Sequence, residues 1–350
     1  MTSQELPDTR PRLAARFEDW THGRRAKRAI ARGKLPSVIP YIGYGTTEWV
    51  RVLGRVLYLR PDSREHTRFR PDVAAVSRVR GWRTFTSLYV PHQPVKILVD
   101  GVPVTEVRAD RGGVIDSLVR VTLSPGWHTV TLQAGEGETA DAPVNIVDPA
   151  ARIGVISDVD DTIVRTALPK PFVAAWNSFV LDEHARAATP GMAVMLDHLV
   201  AGNPGAPVIY LSTGAWNAAP ALSRFLERNL YPMGPLLLTD WGPTHDRWFR
   251  SGREHKQREL KRIAEEFPDI KWVLIGDDGQ HDEALYHQFA MAHPDNVAAV
   301  AIRQLTVGEA VLAGGRSKAR LHRSASGVPW VYGPDGATLR EALRKLGLIR

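Results

Sequence analysis

Two aspartates separated by one residue stand at the end of an apolar run. Asp158-Val159-Asp160-Asp161-Thr162 directly follows Ile153–Ser157, a run typical of a buried strand. Residues two apart in an extended segment point to the same side, so Asp158 and Asp160 can share one metal ion and one substrate. One carboxylate can attack phosphorus while the other protonates the leaving oxygen and later activates water. The motif therefore predicts phosphoryl chemistry, although an acidic loop without function is the alternative.

The C-terminal half has the pattern of a fold that could position this motif. From about residue 149, apolar runs alternate with stretches of helical periodicity, which favours an α/β fold with a parallel sheet covered on both faces. The carboxyl ends of such strands meet at one edge, where ligands bind. A loop is expected over Gly314–Gly333. The predicted strands are Ile153–Ser157, Val208–Ser212, Leu236–Leu238, Trp272–Gly276 and Val297–Arg303, and the predicted helices lie at about 190–201, 217–229, 254–266, 280–292 and 339–346.

The N-terminal half favours short antiparallel strands over about residues 40 to 147. Asp100-Gly101 and Ser124-Pro125-Gly126 each predict a hairpin between the runs that flank them. Pro36 and Pro40 break the helical pattern of the preceding segment, and short β-like runs follow them. The pattern predicts a small all-β domain of sandwich or barrel type. Its predicted strands are Trp49–Leu59, Thr84–Val90, Val95–Val99, Val102–Val107, Leu118–Leu123 and Trp127–Ala134.

Composition excludes several kinds of site. The chain of 350 residues contains no cysteine, which rules out disulfides, cysteine-ligated zinc, iron–sulfur clusters and thiol nucleophiles. No zinc-finger or RNP pattern is present, so nucleic acid is not an expected partner. No run reaches the roughly 20 apolar residues of a membrane span, and the N-terminus lacks the apolar run of a leader. We therefore expect a cytoplasmic protein.

The net charge of +7 is concentrated near the N-terminus. Residues 10–34 hold nine lysines and arginines against two acidic residues, so this segment accounts for the whole net charge. Leu13, Phe17 and Trp20 have the spacing of one face of a helix. Such a helix could lie peripherally on an anionic membrane. A solvated helix without that role is the alternative.

The aspartate motif resembles the first motif of the haloacid dehalogenase superfamily, an apolar strand followed by D-x-D-x-T. The resemblance implies a Rossmann-like hydrolase domain in which Asp158 is the nucleophile and Asp160 the acid/base. Dehalogenase members lack a carboxylate at the position of Asp160, so phosphate transfer is favoured. An insert at about 166–187, containing Trp176 and Phe179, would cover the site, or its aromatic residues could simply pack on the sheet.

The same resemblance implies three further motifs and a magnesium ion. Ser212 matches the second motif, and Thr213, Gly214 and Thr162 would assist in binding phosphate. Lys256 matches the third, a lysine that neutralises phosphate, although an ordinary surface lysine is the alternative. The fourth is an acidic pair, Asp277 with either Asp278 or Asp282. Carboxylate oxygens suit Mg²⁺. The implied metal ligands are Asp158, Asp160, Asp277, Asp278 and Asp282, with the Asp160 carbonyl group included.

A closer resemblance is to the phosphatidate phosphatases first associated with yeast actin patches, and to their bacterial relatives. It rests on Asp158–Ile163, Tyr210–Asn217, Thr239–Gly242 with His255-Lys256, and Ile275–Gln280. Many members have Ser-Asn-Ser where this chain has Ser212-Thr213-Gly214. The resemblance covers the C-terminal half and implies Mg²⁺-dependent hydrolysis of phosphatidate, or a related lipid phosphate, to diacylglycerol and phosphate.

Three functions and three segments are predicted. The first function is the lipid phosphatase, the second a soluble phosphomonoesterase of the same superfamily, and the third a lipid- or protein-binding module with a spent site. The sequence does not identify a protein partner or an oligomeric state. The predicted segments are a basic helical arm (1–39), a β-rich domain (40–148) and a phosphatase domain (149–350).

Overall fold

Two sheets follow one another along the chain, as the sequence predicts. The computed structural model describes residues 13–60, 87–135, 139–165, 187–239, 245–279, 281–312, 315 and 327–350, with the backbone alone for 13–19, 245–251 and 312. Most of the predicted insert at 166–187, including Trp176 and Phe179, lies outside these ranges, as does Thr84–Thr86 of one predicted strand. No helix among the described residues is long and apolar enough to cross a membrane.

A seven-stranded sheet forms the N-terminal half, in the order β4-β3-β6-β7-β1-β2-β5. All neighbours are antiparallel except β1 and β7. The outer strands β4 and β5 approach each other, so the sheet curls toward a barrel. Its strands are β1 (Leu35–Thr46), β2 (Trp49–Leu59), β3 (Pro94–Val99), β4 (Val102–Arg108), β5 (Val114–Arg120), β6 (Gly126–Ala134) and β7 (Thr139–Ile146), and α1 (Leu13–Ala31) precedes them.

One predicted hairpin is confirmed and the other is wrong. Asp100 and Gly101 join β3 to β4 with φ of 51° and 78°, the left-handed values that a type I′ turn requires. Ser124–Gly126 does not join a hairpin, because β5 pairs with β2 while β6 pairs with β3 and β7. Turn residues here mark a connection between strands that are not neighbours in the sheet.

The helical pattern ends before Pro36 and Pro40, as predicted, because α1 ends at Ala31. Both lie in β1, opposite Tyr58 and Gly54 of β2. The other neighbour, β7, pairs only with residues 43–45. The first part of β1 therefore has one hydrogen-bonded partner among the described strands. Proline is tolerated there because its missing N–H can face away from the ladder.

A six-stranded parallel sheet forms the C-terminal half, in the order β12-β11-β8-β13-β14-β15. The predicted α/β class is confirmed at this level. Part of the predicted loop at Gly314–Gly333 is wrong, because Trp330–Gly333 pairs with β14. The strands of this half are β8 (Ile153–Asp158), β9 (Val164–Arg165), β10 (Ala187–Ala188), β11 (Val208–Ala215), β12 (Leu236–Thr239), β13 (Lys271–Asp277), β14 (Val297–Arg303) and β15 (Trp330–Gly333). The short strands β9 and β10 pair separately.

The helices of this half connect the parallel strands and pack in two groups. Contacts join α2 to α7, and α4 to α5. Right-handed crossovers, the rule for parallel strands, would place α2 and α4 on opposite faces of the sheet. Helix α4 begins at His245, well before its predicted start near residue 254. The helices are α2 (Met192–Gly202), α3 (Ala219–Arg228), α4 (His245–Glu266), α5 (Asp282–Ala292), α6 (Val307–Leu312) and α7 (Gly336–Lys345).

Strand β2 buries apolar side chains on both of its faces. Val50, Val52 and Val56 belong to a core inside the curled sheet, whereas Leu53 and Leu57 belong to a second core that continues into the C-terminal half. Because side chains alternate along a strand, one face serves each core. The two halves therefore share buried apolar surface, and the predicted domain boundary near residue 149 stays a prediction.

Candidate active site

The candidate site lies where the order of the parallel strands reverses. The chain moves from β8 outward to β11 and β12, then returns to β13 on the other side of β8. Such a switch point leaves a crevice beyond the carboxyl ends of the two central strands. Asp158 ends β8 and Asp277 ends β13. The topology therefore brings together carboxylates that are more than a hundred positions apart in the sequence.

Three carboxylates and one ammonium group meet in this crevice, and we refer to them as the site cluster. Ligand oxygens of Asp158, Asp277 and Asp282 all lie within 4.8 Å of one another, and all three residues are buried. Lys256 Nζ donates to Asp158 Oδ1 at 2.6 Å and to Asp282 Oδ1 at 2.7 Å. Lys256 is only 7% exposed, so the alternative of an ordinary surface lysine is wrong.

Gly276 permits the close approach of Asp282 to the end of β13. A Cβ atom at this position would lie 2.7 Å from the Tyr286 ring and 2.8 Å from Asp282 Oδ2. The Asp277 N–H donates to the same Asp282 oxygen at 3.4 Å, and the Tyr286 hydroxyl donates to the Ile275 carbonyl at 3.0 Å. The first turn of α5 is thereby packed against the strand that carries Asp277.

Burial makes the charges of the site cluster interact strongly. Burial and the neighbouring Asp282 carboxylate raise the pKa of Asp158 well above its ordinary value, against the opposing effect of Lys256. Burial alone would lower the pKa of Lys256, but Asp158 and Asp282 outweigh it and hold that pKa well above its ordinary value. Lys256 therefore stays an ammonium ion through the neutral range.

The donor set of the site cluster fits a divalent cation. With the carboxylates ionised, three negative charges face one positive charge, which is costly in a buried crevice. Converging carboxylate oxygens are the ligands that Mg²⁺ and similar hard cations take, and a divalent ion would cancel the remaining charge. Asp158, Asp277 and Asp282 are the residues that would hold it.

The carboxylate of Asp160 is bound to the second motif. Ser212 Oγ donates to Asp160 Oδ2 at 2.8 Å and accepts the Gly214 N–H at 2.9 Å. The Asp160 side chain, predicted among the metal ligands, lies outside the three carboxylates that could hold a metal ion together, whereas the predicted role of its carbonyl group stays a prediction. Asp160 is therefore hydrogen-bonded to Ser212, whereas Asp158 is paired with Lys256.

Two other predicted contacts differ from expectation. Thr162, expected to bind substrate, is fully buried and donates to Asp158 Oδ2 at 3.1 Å, so it orients the carboxylate. Asp278, an alternative fourth-motif ligand, is outside the three carboxylates that could hold a metal ion and accepts the Leu305 N–H at 2.8 Å. Thr213 is partly exposed, and its carbonyl accepts the Thr239 hydroxyl at 2.9 Å.

Arg303 binds the backbone of the aspartate motif, a contact that was not predicted. It is 3% exposed, and its Nη1 donates to the Asp161 carbonyl at 2.6 Å while Nη2 donates to Glu309 at 2.8 Å. Asp161 has a φ of 59°, a left-handed value that is uncommon for residues other than glycine. The only sequence signal was that Arg303 ends the apolar run Val297–Arg303. The linear sequence indicates no partner for this arginine.

Comparison with known proteins finds a matching family and similar proteins. Residues 153–304 match the family described as "Phosphatidate phosphatase APP1, catalytic domain". The chain is 27% identical over 243 residues to phosphatidate phosphatase APP1 of Saccharomyces cerevisiae, a match that covers 65% of this chain and 40% of that protein. It is 25% identical over 154 residues to an uncharacterized protein of Schizosaccharomyces pombe, covering 44% of this chain and 25% of that one. The matches therefore span less than half the length of each relative.

Solved structures also align with this chain. A β-glucuronidase of Parabacteroides merdae aligns over 77% of this chain and 33% of its own, at 10% identity and a TM-score of 0.21. A similarity of this size supports no conclusion about fold or activity. The matched segment 153–304 instead contains every member of the site cluster, together with Asp160 and Ser212. The resemblance to the phosphatidate phosphatase family is therefore confirmed, and residues 153–304 are similar to its catalytic domain.

Proposed function

We propose that this chain is a metal-dependent phosphatase that hydrolyses phosphatidate, or a related lipid phosphate, to diacylglycerol and inorganic phosphate. The observation that carries the proposal is the site cluster, in which Lys256 bridges Asp158 and Asp282 beside the Asp160–Ser212 pair. The similarity of residues 153–304 to a phosphatidate phosphatase catalytic domain supports the lipid substrate. A Rossmann-like fold of the haloacid dehalogenase type is part of the proposal, supported by the parallel sheet and its switch point.

Two carboxylates divide the chemical work. Asp158 attacks phosphorus, so that an aspartyl-phosphate bond forms as the bond to the ester oxygen breaks. Asp160, protonated for this step, gives its proton to the departing alkoxide of the glycerol and then takes one from the water that hydrolyses the intermediate. The hydrogen bond from Ser212 holds Asp160 in the orientation for both transfers.

The remaining groups stabilise charge on the transferring phosphoryl group. Lys256 supplies a permanent positive charge at the nucleophile, and Ser212, Thr213 and Gly214 would border the phosphoryl oxygens at the end of β11. A bound Mg²⁺ would supply further charge neutralisation there and would help to orient the phosphate. Asp158, Asp277 and Asp282 would hold that ion, with the Asp160 carbonyl as a further ligand.

Helix α1 supports a substrate that resides in a membrane. His22, Ala26 and Ala29 face the β-rich half, where the His22 ring stacks on Tyr89 at 4.3 Å. Trp20 is 53% exposed and Arg24 lies 4.2 Å above its ring. The exposed basic residues could bind an anionic bilayer, with Trp20 in the headgroup region. The exposed basic residues of the described part of α1 are Arg24, Arg25, Lys27 and Arg28.

The first test is phosphate release by wild type and Asp158→Asn, with Mg²⁺ or with EDTA. The substrates are phosphatidate vesicles and a panel of soluble phosphomonoesters. Mg²⁺-dependent release from vesicles, lost in the variant, supports the lipid phosphatase. Release from soluble esters alone would replace it with the soluble phosphomonoesterase. No release from any substrate would favour a binding module with a spent site.

The membrane function of α1 needs a separate test. Arg24→Glu combined with Arg28→Glu should lower activity on anionic vesicles about tenfold or more, since each basic residue near such a surface contributes roughly 1 kcal/mol to binding. Activity on a soluble ester should stay at the wild-type value. An equal decrease on both substrates would contradict membrane docking by this helix.

A further inference from the structure

We propose that the β-rich half positions the catalytic lysine, acting through helix α4. This inference rests on the proposed function, because it assigns Lys256 to the reaction. The side chains that carry it run from the β-rich sheet onto the last three turns of α4. We name them the interface network, and its members are Tyr44, Arg51, Asp116, Glu259, Arg262 and Glu266.

Two residues of the β-rich sheet bind Glu266 at the end of α4. The Tyr44 hydroxyl donates to Glu266 Oε2 at 2.8 Å, and Arg51 donates through Nε to Oε1 at 3.0 Å and also through Nη2. The side chains of Arg51 and Glu266 are only 12% and 10% exposed. Hydrogen-bonded ion pairs with this burial are stronger than exposed pairs, which are often worth almost nothing.

Asp116 connects the two arginines of the network. Its Oδ1 accepts from Arg51 Nη1 at 2.6 Å, and its Oδ2 accepts from Arg262 Nη1 at 2.8 Å. Arg262 lies on α4 and also pairs through Nη2 with Glu259. Asp116 belongs to β5, so this carboxylate joins the far edge of the β-rich sheet to the catalytic helix.

The network ends beside the catalytic lysine. Glu259 is 3% exposed and follows Lys256 by three positions on α4, which places the two on adjacent turns. Its Oε1 lies 3.8 Å from Nδ1 of His255, the residue that precedes Lys256. A continuous chain of contacts therefore runs from strand β1 to the turn of α4 that presents Lys256 to Asp158.

A second contact ties the β-rich half to the phosphate-binding strand. The Tyr41 ring stacks on Trp216 at 5.2 Å and 10°, and its hydroxyl donates to the Trp216 carbonyl at 3.3 Å. Trp216 follows β11 directly, four positions after Ser212. Strand β1 thus contacts the segments that carry two of the four motifs.

The position of α4 affects catalysis because it decides which groups the Lys256 side chain can contact. Lys256 has a flexible stem, and its ammonium group contacts Asp158 and Asp282 only if α4 lies at the right height and rotation. Catalytic groups displaced by about 1 Å can lose about 10²-fold in rate. The interface network fixes the second half of α4 on the β-rich sheet, and thereby fixes Lys256.

The test compares Asp116→Asn with Asp141→Asn in the full chain. Asp141 accepts from Thr131 within the β-rich sheet and serves as the matched control. With a soluble phosphomonoester, Asp116→Asn should lower kcat about 5- to 20-fold with little change in KM, whereas Asp141→Asn should have no effect. In a Lys256→Ala background, Asp116→Asn should cause no further decrease, because both changes act through one group. A full additional decrease in that background would overturn the inference.

Hydrogen exchange of α4 provides a readout that needs no turnover. Amides of residues 253–260 should exchange at least about fivefold faster in Asp116→Asn than in wild type or Asp141→Asn, because the helix is released from the sheet. Unchanged exchange would contradict the inference whatever the activity is. A wild-type protein that releases no phosphate from any ester, but shows faster exchange in Asp116→Asn, would refute the proposed function and leave the mechanical link intact.

Discussion

Helix α4 contributes to two groups of charges that differ in their balance, the buried site cluster and the interface network, whose Asp116 side chain is 31% exposed. The interface network alternates cations and anions, and the arginines at positions 262 and 51 lower the pKa of Asp116 against the effect of burial. The site cluster sets three carboxylates against one ammonium group, and burial with Asp282 raises the pKa of Asp158. The anionic form of an aspartate is thus stabilised in the interface network, at Asp116, and destabilised in the site cluster, at Asp158. An uncompensated charge is expected where a site is kept for function.

The largest expected effect is that of Asp158→Asn. Turnover should decrease by about 10³-fold or more, because the nucleophile is lost. In EDTA at pH 7, the free energy of unfolding should not decrease, because one repelling carboxylate is removed. Parallel assays of phosphate release and urea unfolding measure both quantities.

The contrast with Asp116 sharpens this prediction. Its folded-state pKa is depressed, so its charge contributes stability above the unfolded pKa, and that stability is lost as the pH falls through the folded pKa. Asp116→Asn should therefore lower the free energy of unfolding at pH 7. If both variants lost the same stability in EDTA, the distinction between the two groups would be wrong.

The second largest effect concerns the metal ligands. Asp282→Asn should weaken Mg²⁺ binding by at least about tenfold, since Asp282 lies within the group of ligand oxygens. Asp278→Asn is the matched control, because Asp278 accepts the Leu305 N–H instead. Calorimetric titration of the unliganded proteins with Mg²⁺ gives the comparison without turnover. Equal weakening in both variants would restore Asp278 as a ligand.

A smaller effect is expected from Arg303→Lys. A lysine keeps the charge but has no planar fork with which to bind the Asp161 carbonyl and Glu309 together. We expect kcat to decrease about tenfold, because the turn between Asp160 and Thr162 loses its support. The Mg²⁺ affinity should change little, which separates this effect from that of Asp282→Asn. Steady-state kinetics at saturating Mg²⁺ measure it, and an unchanged kcat would limit Arg303 to packing.

The smallest effect on turnover is expected from His255→Asn, which tests through pH a residue that contacts Glu259 of the interface network. Burial, together with Arg258, lowers the pKa of His255 to about 4, and His255 Nδ1 accepts from Arg258 at 3.0 Å. The unfolded chain binds a proton near pH 6.5 and the folded chain does not. Stability is therefore complete above pH 6.5 and is lost as the pH falls toward 4, by up to about 3 kcal/mol.

The matched variant isolates this contribution. Asparagine keeps an acceptor for Arg258 but does not titrate, so the pH dependence between 6.5 and 4 should be shallower in His255→Asn than in wild type. Urea unfolding at several pH values provides the comparison. Identical slopes in the two proteins would show that His255 does not titrate in this range.

The aspartate motif could be found in the sequence because its geometry is local. Alternation along a strand places Asp158 and Asp160 on one side, and the apolar run before them marks the strand. The choice between Asp278 and Asp282 was not local, because it depends on where α5 starts and on the space left by Gly276. The periodicity predicts this helix at about 280–292, but it does not show the space at Gly276.

Contacts between distant positions account for the other omissions. Arg303 contacts a carbonyl 142 positions earlier in the chain, and no periodicity indicates such a pair. Strand β1, which contains Pro36 and Pro40, was not predicted; a proline cannot donate to a ladder, but the first part of this strand has a partner on one side only. The hairpin predicted at Ser124–Gly126 was also wrong, because β5 and β6, which adjoin it in the sequence, pair with other strands and not with each other.

Strand β1 has a consequence for any attempt to recombine this protein with a relative. Its Tyr41 and Tyr44 contact Trp216 and Glu266 of the other half, and the apolar core is continuous between the halves. A chimaera joined near residue 149 would place the β-rich half of one protein against the C-terminal half of another, although the contact surfaces of these halves did not evolve together. The functional exchange unit therefore comprises β1 together with the second half of α4, whatever the position of the junction in the gene.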